Sequence, residues 1–290
     1  MKRKNWLLVL LILLCLAVFY GYRAYDRMRT DTKAPEIQMD EQIPEVSVGD
    51  PKSALLQGIT ATDKTDGDVT ASLVVESITL LDSEGNLQVT CAAFDSAGNV
   101  AKAQRQAKYS DYESPRFTLS APLAYTYGSG FDVLSTVGAT DVVDGDIQHR
   151  VRATSLDDAS IATKGSHYVQ FQVSNSLGDT VTQVFPVEVY DAGTYDADLS
   201  LQAYLIYLPK GASFEAKQYL KSFTWRGEET SLQSGLPANF SLRTKGEVQT
   251  QTPGTYSVEY RVTYTEPNET NPDLDRQYTA YSKLIVVVEG

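Results

Sequence analysis

Nine residues, Ala61-Thr62-Asp63-Lys64-Thr65-Asp66-Gly67-Asp68-Val69, return 78 positions on (61 to 139) as Ala139-Thr140-Asp141-Val142-Val143-Asp144-Gly145-Asp146-Ile147. A chain that repeats itself at this spacing folds as a series of like units, each the size of a small domain. Two more anchors keep the same order: Asp31, Pro35, Ile37 and Met39 return as Asp111, Pro115, Phe117 and Leu119, and Asp95-Ser96-Ala97-Gly98-Asn99 returns as Asn175-Ser176-Leu177-Gly178-Asp179. The phrase Gly85, Val89, Cys91 recurs as Gly165, Val169, Phe171 and again as Gly254, Val258, Tyr260, which marks a third, degenerate copy at the C-terminal end.

Inside each copy the apolar residues alternate. Leu87, Val89, Cys91 and Ala93 are interleaved with Gln88 and Thr90; Val169, Phe171 and Val173 with Gln170 and Gln172; Tyr256, Val258, Tyr260 and Val262 with Ser257, Glu259 and Arg261. Period two means strands with one dry face. Each copy closes on another β-rich run, Val100 to Tyr109, Val181 to Tyr190 and Tyr281 to Val288, with Gly, Asn, Asp and Pro between the runs. Only Ser213 to Ser222 has a helical look. The expected fold is all-β, three tandem antiparallel Ig-like sandwiches at residues 31–110, 111–192 and 193–290. The joins are short and poor in Gly and Ser, which predicts a semi-stiff rod.

Ahead of the repeats, Trp6 to Tyr22 runs 17 residues without a charge, after the basic Lys2, Arg3 and Lys4. That length is marginal for a bilayer core of ~30 Å, and no small-residue cleavage site follows it, so the expectation is an uncleaved transmembrane signal anchor at 6–22 behind a cytoplasmic tail at 1–5. Residues 1–30 hold six of the 25 basic side chains and one of the 37 acids, so residues 31–290 carry 19 basic and 36 acidic groups, a formal −17. Such a surface argues against nucleic acid or an anionic membrane face as partner. Of the two cysteines, Cys15 lies in the apolar run and Cys91 at a core-facing strand position, so no disulfide is expected.

The phrases D-x-x-x-P-x-I at Asp31 to Ile37, A-T-D-x-x-D-G-D-V-T at Ala61 to Thr70 and D-S-A-G-N at Asp95 to Asn99 resemble bacterial Ig-like repeats of the pesticidal-crystal-protein type, related to hyalin repeats. The resemblance covers residues 31–190; the second copy departs at Asn175 and Asp179, and the third lacks both acidic signatures. It implies an Ig-like fold in an exported, membrane-anchored bacterial surface protein, used for spacing or adhesion without catalysis, and hence C-terminal domains outside the cell membrane.

Two readings stand open for the acidic turns Asp63/Asp66/Asp68 and Asp141/Asp144/Asp146. Clustered carboxylates suit calcium, a hard cation, whereas Asp before Gly also caps a tight turn through its own backbone. Asp95 and Asn99 are within reach of joining the first group. His149 and His167 have no second ligand at zinc spacing. No nucleophile elbow or phosphate-cradling glycine loop is present, so no catalytic, cofactor or metal residue is assigned. Nine of the 18 tyrosines fall in residues 194–290 beside Trp225. Tyr256 and Tyr260 belong to the core by alternation, while Tyr204, Tyr207, Tyr264, Tyr278 and Tyr281 offer an aromatic platform or ordinary strand packing. Residues 267–275 form a polar insertion suited to a recognition loop.

The functional expectation is a non-catalytic, membrane-anchored extracellular binding or spacer protein, with a glycan or envelope protein as ligand. The alternatives are an accessory subunit of an envelope complex and, further off, a cell-wall or polysaccharide hydrolase whose acids converge only in space.

Overall fold

A computed structural model describes residues 2–29, 31–156, 163–268 and 272–290, with the side chains of 2–5, 7, 8, 24, 26–29 and 272 outside the description. The chain divides into two compact units, Met1–Tyr112 and Glu113–Gly290.

The first unit opens with helix α1 (Lys2–Arg29), longer than the expected span because the basic residues at both ends continue it. Among the described residues no helix is long and apolar enough to cross a membrane, and that set omits the side chains of Leu7 and Leu8. Seven strands follow: β1 (Glu36–Met39), β2 (Glu45–Val46), β3 (Ile59–Asp63), β4 (Gly67–Asp68), β5 (Val74–Leu80), β6 (Asn86–Phe94) and β7 (Val100–Tyr109). They make two sheets, ordered β1-β3-β4 and β2-β7-β6-β5. The alternation in β6 holds: Leu87, Val89, Cys91 and Ala93 are all 0% exposed. Burial pushes the Cys91 thiol pKa up, as befits a small core hydrophobe.

One expectation is corrected. The sheets are not wholly antiparallel, since β2 runs parallel to β7 while β1 is antiparallel to β3. The entering chain changes sheets between them at Pro44, whose carbonyl accepts the Lys108 N–H at 2.9 Å. Proline brings no N–H of its own, so the crossing strands no donor.

The second unit repeats this plan with β8 (Arg116–Leu119), β9 (Ala124–Thr126), β10 (Val137–Asp141), β11 (Gly145–Asp146), β12 (Arg152–Ser155), β13 (Gly165–Ser174) and β14 (Thr180–Tyr190). Their sheets are ordered β11-β10-β8 and β12-β13-β14-β9, with the same parallel pairing of β9 on β14. Phe117, Phe171 and Phe185 fill the centre, with ring centroids 5.5–6.4 Å apart.

The rest of the chain forms β15 (Ala197–Leu201), β16 (Leu205–Leu208), β17 (Leu220–Trp225), β18 (Glu228–Ser231), β19 (Phe240–Lys245), β20 (Gly254–Glu266) and β21 (Arg276–Val288). These lie in one seven-stranded sheet, β18-β17-β15-β21-β20-β19, with β16 beside the far half of β21. The sheet curls on itself: Phe223 of β17 packs on Phe240 of β19 at 5.2 Å, although three strands separate them in the order. Ser213 to Ser222 is not a helix; only Ala216–Tyr219 makes a 3-10 turn, because Leu220 and Phe223 are drawn into the core as strand residues. Beyond Arg29 all described helical turns are 3-10 segments of three to five residues.

β21 serves two cores. Ile285 and Val287 join the Phe117/Phe171/Phe185 cluster, with Leu205 and Tyr207 packed beside them, while Leu284, Val286 and Val288 join the C-terminal cluster. Each fully buried aliphatic side chain contributes ~1.5–3 kcal/mol, so this one strand ties the second and third copies into a single unit.

Candidate functional site

The acidic turns resolve into caps. Asp63 Oδ1 accepts the N–H groups of Thr65 (2.7 Å) and Asp66 (3.0 Å), and Asp68 Oδ1 accepts that of Thr70 at 2.9 Å. Asp66 points the other way and accepts both the N–H and the hydroxyl of Ser96, at 2.7 and 2.8 Å, latching this turn to the next loop. The three acids of the sequence phrase therefore do not converge. The second copy repeats each bond: Asp141 takes Val143 and Asp144, Asp146 takes Gln148, and Asp144 takes Ser176. Arg150 adds an ion pair to Asp144 at 2.6 Å. Although burial alone would raise it, the Ser176 and Arg150 bonds hold the Asp144 carboxyl below its ordinary value.

A different acidic group does converge. Asp31, Asp63 and Asp95 bring carboxylate oxygens within 4.8 Å of one another, and Asp63 and Asp95 are each 8% exposed. Asn99 organises the corner. Its N–H and side-chain amide both donate to Asp95 at 2.7 Å, and the same amide reaches the Asp31 carbonyl at 3.1 Å. The Thr65 hydroxyl and the Lys33 N–H hold the Asp31 carboxyl below its ordinary value, while Asp31 Oδ2 lies buried with no partner in hydrogen-bond geometry. Among the described residues this trio is the set with the donor chemistry for a hard cation. The sequence signal for it lay in the first letters of two repeated phrases, D-x-x-x-P and D-S-A-G-N, more than in the acid-rich turn.

The second copy solves the same corner without a third carboxylate. Asn175 stands where Asp95 does, and its amide donates to Asp141 Oδ2 at 3.1 Å, while its Oδ1 accepts the Leu177 and Asp179 N–H groups. Asp111, the counterpart of Asp31, caps Ser47 and Val48 in the first unit at 2.6 and 2.8 Å.

The aromatic platform does not form as expected. Tyr281 is 9% exposed, and burial raises its pKa; Tyr207 is driven by burial to about 12, its hydroxyl accepting the Phe117 N–H at 2.9 Å. Tyr204, Tyr264 and Tyr278 are half-buried against the C-terminal core. What remains open is a small seam lined by Trp225, Glu228, Thr230, Phe240 and Tyr264. Arg226, in the two-residue turn between β17 and β18 at φ +50, stacks its guanidinium 4.2 Å from the Trp225 ring. His167 is buried, its Nε2 2.7 Å from the Thr163 carbonyl oxygen, and His149 sits in a 3-10 turn. Of the 267–275 insertion, residues 269–271 lie outside the described residues; Asn268 donates its N–H to Asp275 Oδ1 at 2.8 Å.

No family model and no curated protein matches the chain. Among solved structures it is similar to the M60 catalytic domain with the CBM51-1 and CBM51-2 domains of Clostridium perfringens ZmpB, at 11% identity over 88% of this chain and 43% of that one, TM-score 0.25. It is also similar to the protocadherin GammaB4 extracellular domain (10%, 88% and 50%, TM-score 0.20) and to mouse cadherin-23 EC22-24 (12%, 88% and 99%, TM-score 0.21). The chain spans half or less of the first two. The fold assignment rests on the strand pairing.

Proposed function

We propose that the chain is a non-catalytic, membrane-anchored binding or spacer protein that displays its β-sheet units on the outside of a bacterial cell. The observation that carries this reading is the bare apolar surface of α1. Val9 to Leu14, Leu16, Val18 and Phe19 are 44–66% exposed. An apolar helical surface left open to solvent is at home in lipid, and we read residues 6–22, with Leu7 and Leu8 counted in the apolar run, as the part that enters the bilayer. Behind it, acids of the two repeated turns serve as caps: Asp66, Asp68, Asp144 and Asp146 each accept a backbone N–H. The resemblance to exported bacterial Ig-like repeats supports the same side of the membrane, and a glycan or envelope protein is the ligand class that fits a wall-facing module.

The test is fractionation of cells producing the full chain. Retention in the membrane pellet through an alkaline carbonate wash, released only by detergent, is expected. Recovery in the wash refutes the anchor. For the binding role, cells producing the chain are expected to capture purified envelope polysaccharide or protein above cells lacking it, with no turnover of the captured polymer. Turnover would move the reading to a hydrolase.

A further inference from the structure

The face of β19 and β20 turned away from the C-terminal core carries charge that its neighbours leave unbalanced. Arg243 and Arg261 stand directly opposite each other across the antiparallel pair, and both are exposed. Neither forms an ion pair among the described residues. Like charges in directly opposed positions destabilise a strand pair. The next pair on the same face is Lys245 and Glu259, joined at 3.5 Å; Glu259 in turn lies opposite Lys283 of β21, whose Nζ is 3.7 Å from Glu188. Glu259 and Glu188 are thus taken up by the two lysines, and the next acid in the row, Asp198, stands beyond Tyr281. Arg261's other cross-strand neighbour is Tyr281, a phenol that burial keeps protonated. A cleft of about 370 Å³ opens here, lined by Arg243, Thr244, Lys245, Glu259 and Arg261.

Charge on an edge strand has a simpler use, since it blocks edge-to-edge pairing, and β19 is the edge. That accounts for Arg243 and Lys245. It does not account for Arg261, because β20 is paired on both sides.

We propose that Arg243 and Arg261, with Lys245 beside them, bind a phosphate group borne by a non-lipid ligand. Two planar guanidinium forks side by side match a tetrahedral oxyanion, and a phosphate monoester near its second ionisation supplies the charge that cancels the pair. The formal −17 of residues 31–290 disfavours any extended polyanion, bilayer or polymer alike, so the group reaches the site on a small soluble molecule. This deepens the binding reading above by naming ligand chemistry.

Equilibrium dialysis of the full chain in a nonionic detergent against radiolabelled inorganic phosphate tests it, with a sugar phosphate monoester and phosphatidylglycerol vesicles as separate arms. Saturable phosphate binding is expected, shared by the sugar phosphate, with affinity falling roughly tenfold or more in Arg243→Gln and again in Arg261→Gln. Lys52→Gln, an exposed cation of the first unit, is expected to bind as the wild type does. In phosphate-free buffer the melting temperature of Arg261→Gln is expected at or above that of the wild type, since the repulsion is gone. Absence of saturable binding overturns the proposal, and so does equal affinity in the double variant. Vesicle binding that disappears in the double variant overturns the assignment to a non-lipid phosphate. Membrane retention of the chain is read separately, so failure here leaves the anchor reading standing.

Discussion

Replacing Asp95 by Asn transplants the second copy's corner into the first. Three carboxylates lie within 4.8 Å of one another in the first copy, whereas in the second the Asn175 amide donates to Asp141. Two unit charges at that separation repel by ~3 kcal/mol at an effective dielectric near 20, and by ~1 kcal/mol if water screens them fully. With Asp63 and Asp95 each 8% exposed, the truth lies toward the upper figure. Against this gain stands the bond from the Asn99 side-chain amide to Asp95 Oδ2, worth ~1 kcal/mol; that amide keeps its second acceptor, the Asp31 carbonyl. The net expectation for Asp95→Asn is a first unit more stable by ~1–2 kcal/mol, a rise of about 5–10 °C for a unit of this size. Scanning calorimetry of the full chain in chelator reads it, so that repulsion is measured without a cation. A fall in the first unit's melting temperature would refute the reasoning, because it would show that the charge at position 95 is held by a favourable partner.

Three other outcomes follow from local geometry. Gly85→Ala is expected to cost ~2 kcal/mol or more, since the site has φ +86 and a Cβ there would sit 2.5 Å from the Tyr109 carbonyl oxygen; urea unfolding midpoints measure it. Tyr260→Phe is expected to lose ~1–2 kcal/mol, because the hydroxyl of this fully buried residue donates to the Ala216 carbonyl at 2.9 Å; the same urea titration applies. The carboxyls of Asp68, Asp111 and Asp144 sit below the usual 3.8, so the stability they add is complete above that value and is lost as pH falls through their lower folded values. Circular dichroism melts below pH 4 are expected to show a shallower decline in Asp111→Asn than in the wild type.

How far the sequence foretold this molecule depended on whether one strand face was wet. In β6 and β13 it was, and alternation located Leu87, Val89, Cys91, Val169, Phe171 and Val173 in the core without any tertiary information. β21 is dry on both faces, so Leu284 to Val288 carries no alternation, and only the folded chain shows that the odd and even positions serve different cores. Parallel pairing of β2 and β9 was hidden because a two- or three-residue strand leaves almost no pattern. The acidic trio was half legible. Asp63 and Asp95 stood in repeated phrases, but grouping by proximity along the chain chose Asp66 and Asp68, which turn outward to Ser96 and Thr70, over Asp31, which is brought in from 32 positions away (31 to 63) by the β1–β3 pairing.

The anchored, outward-facing arrangement is tested most directly by labelling intact cells with a membrane-impermeant maleimide. Cys91 is 0% exposed and Cys15 lies on the apolar helix, so the native chain offers a clean background. Ser129→Cys places a thiol on an exposed turn of the second unit. Labelling of Ser129→Cys on intact cells, with none of the wild type, is the predicted result; labelling of Ser129→Cys only after the cells are broken would contradict it.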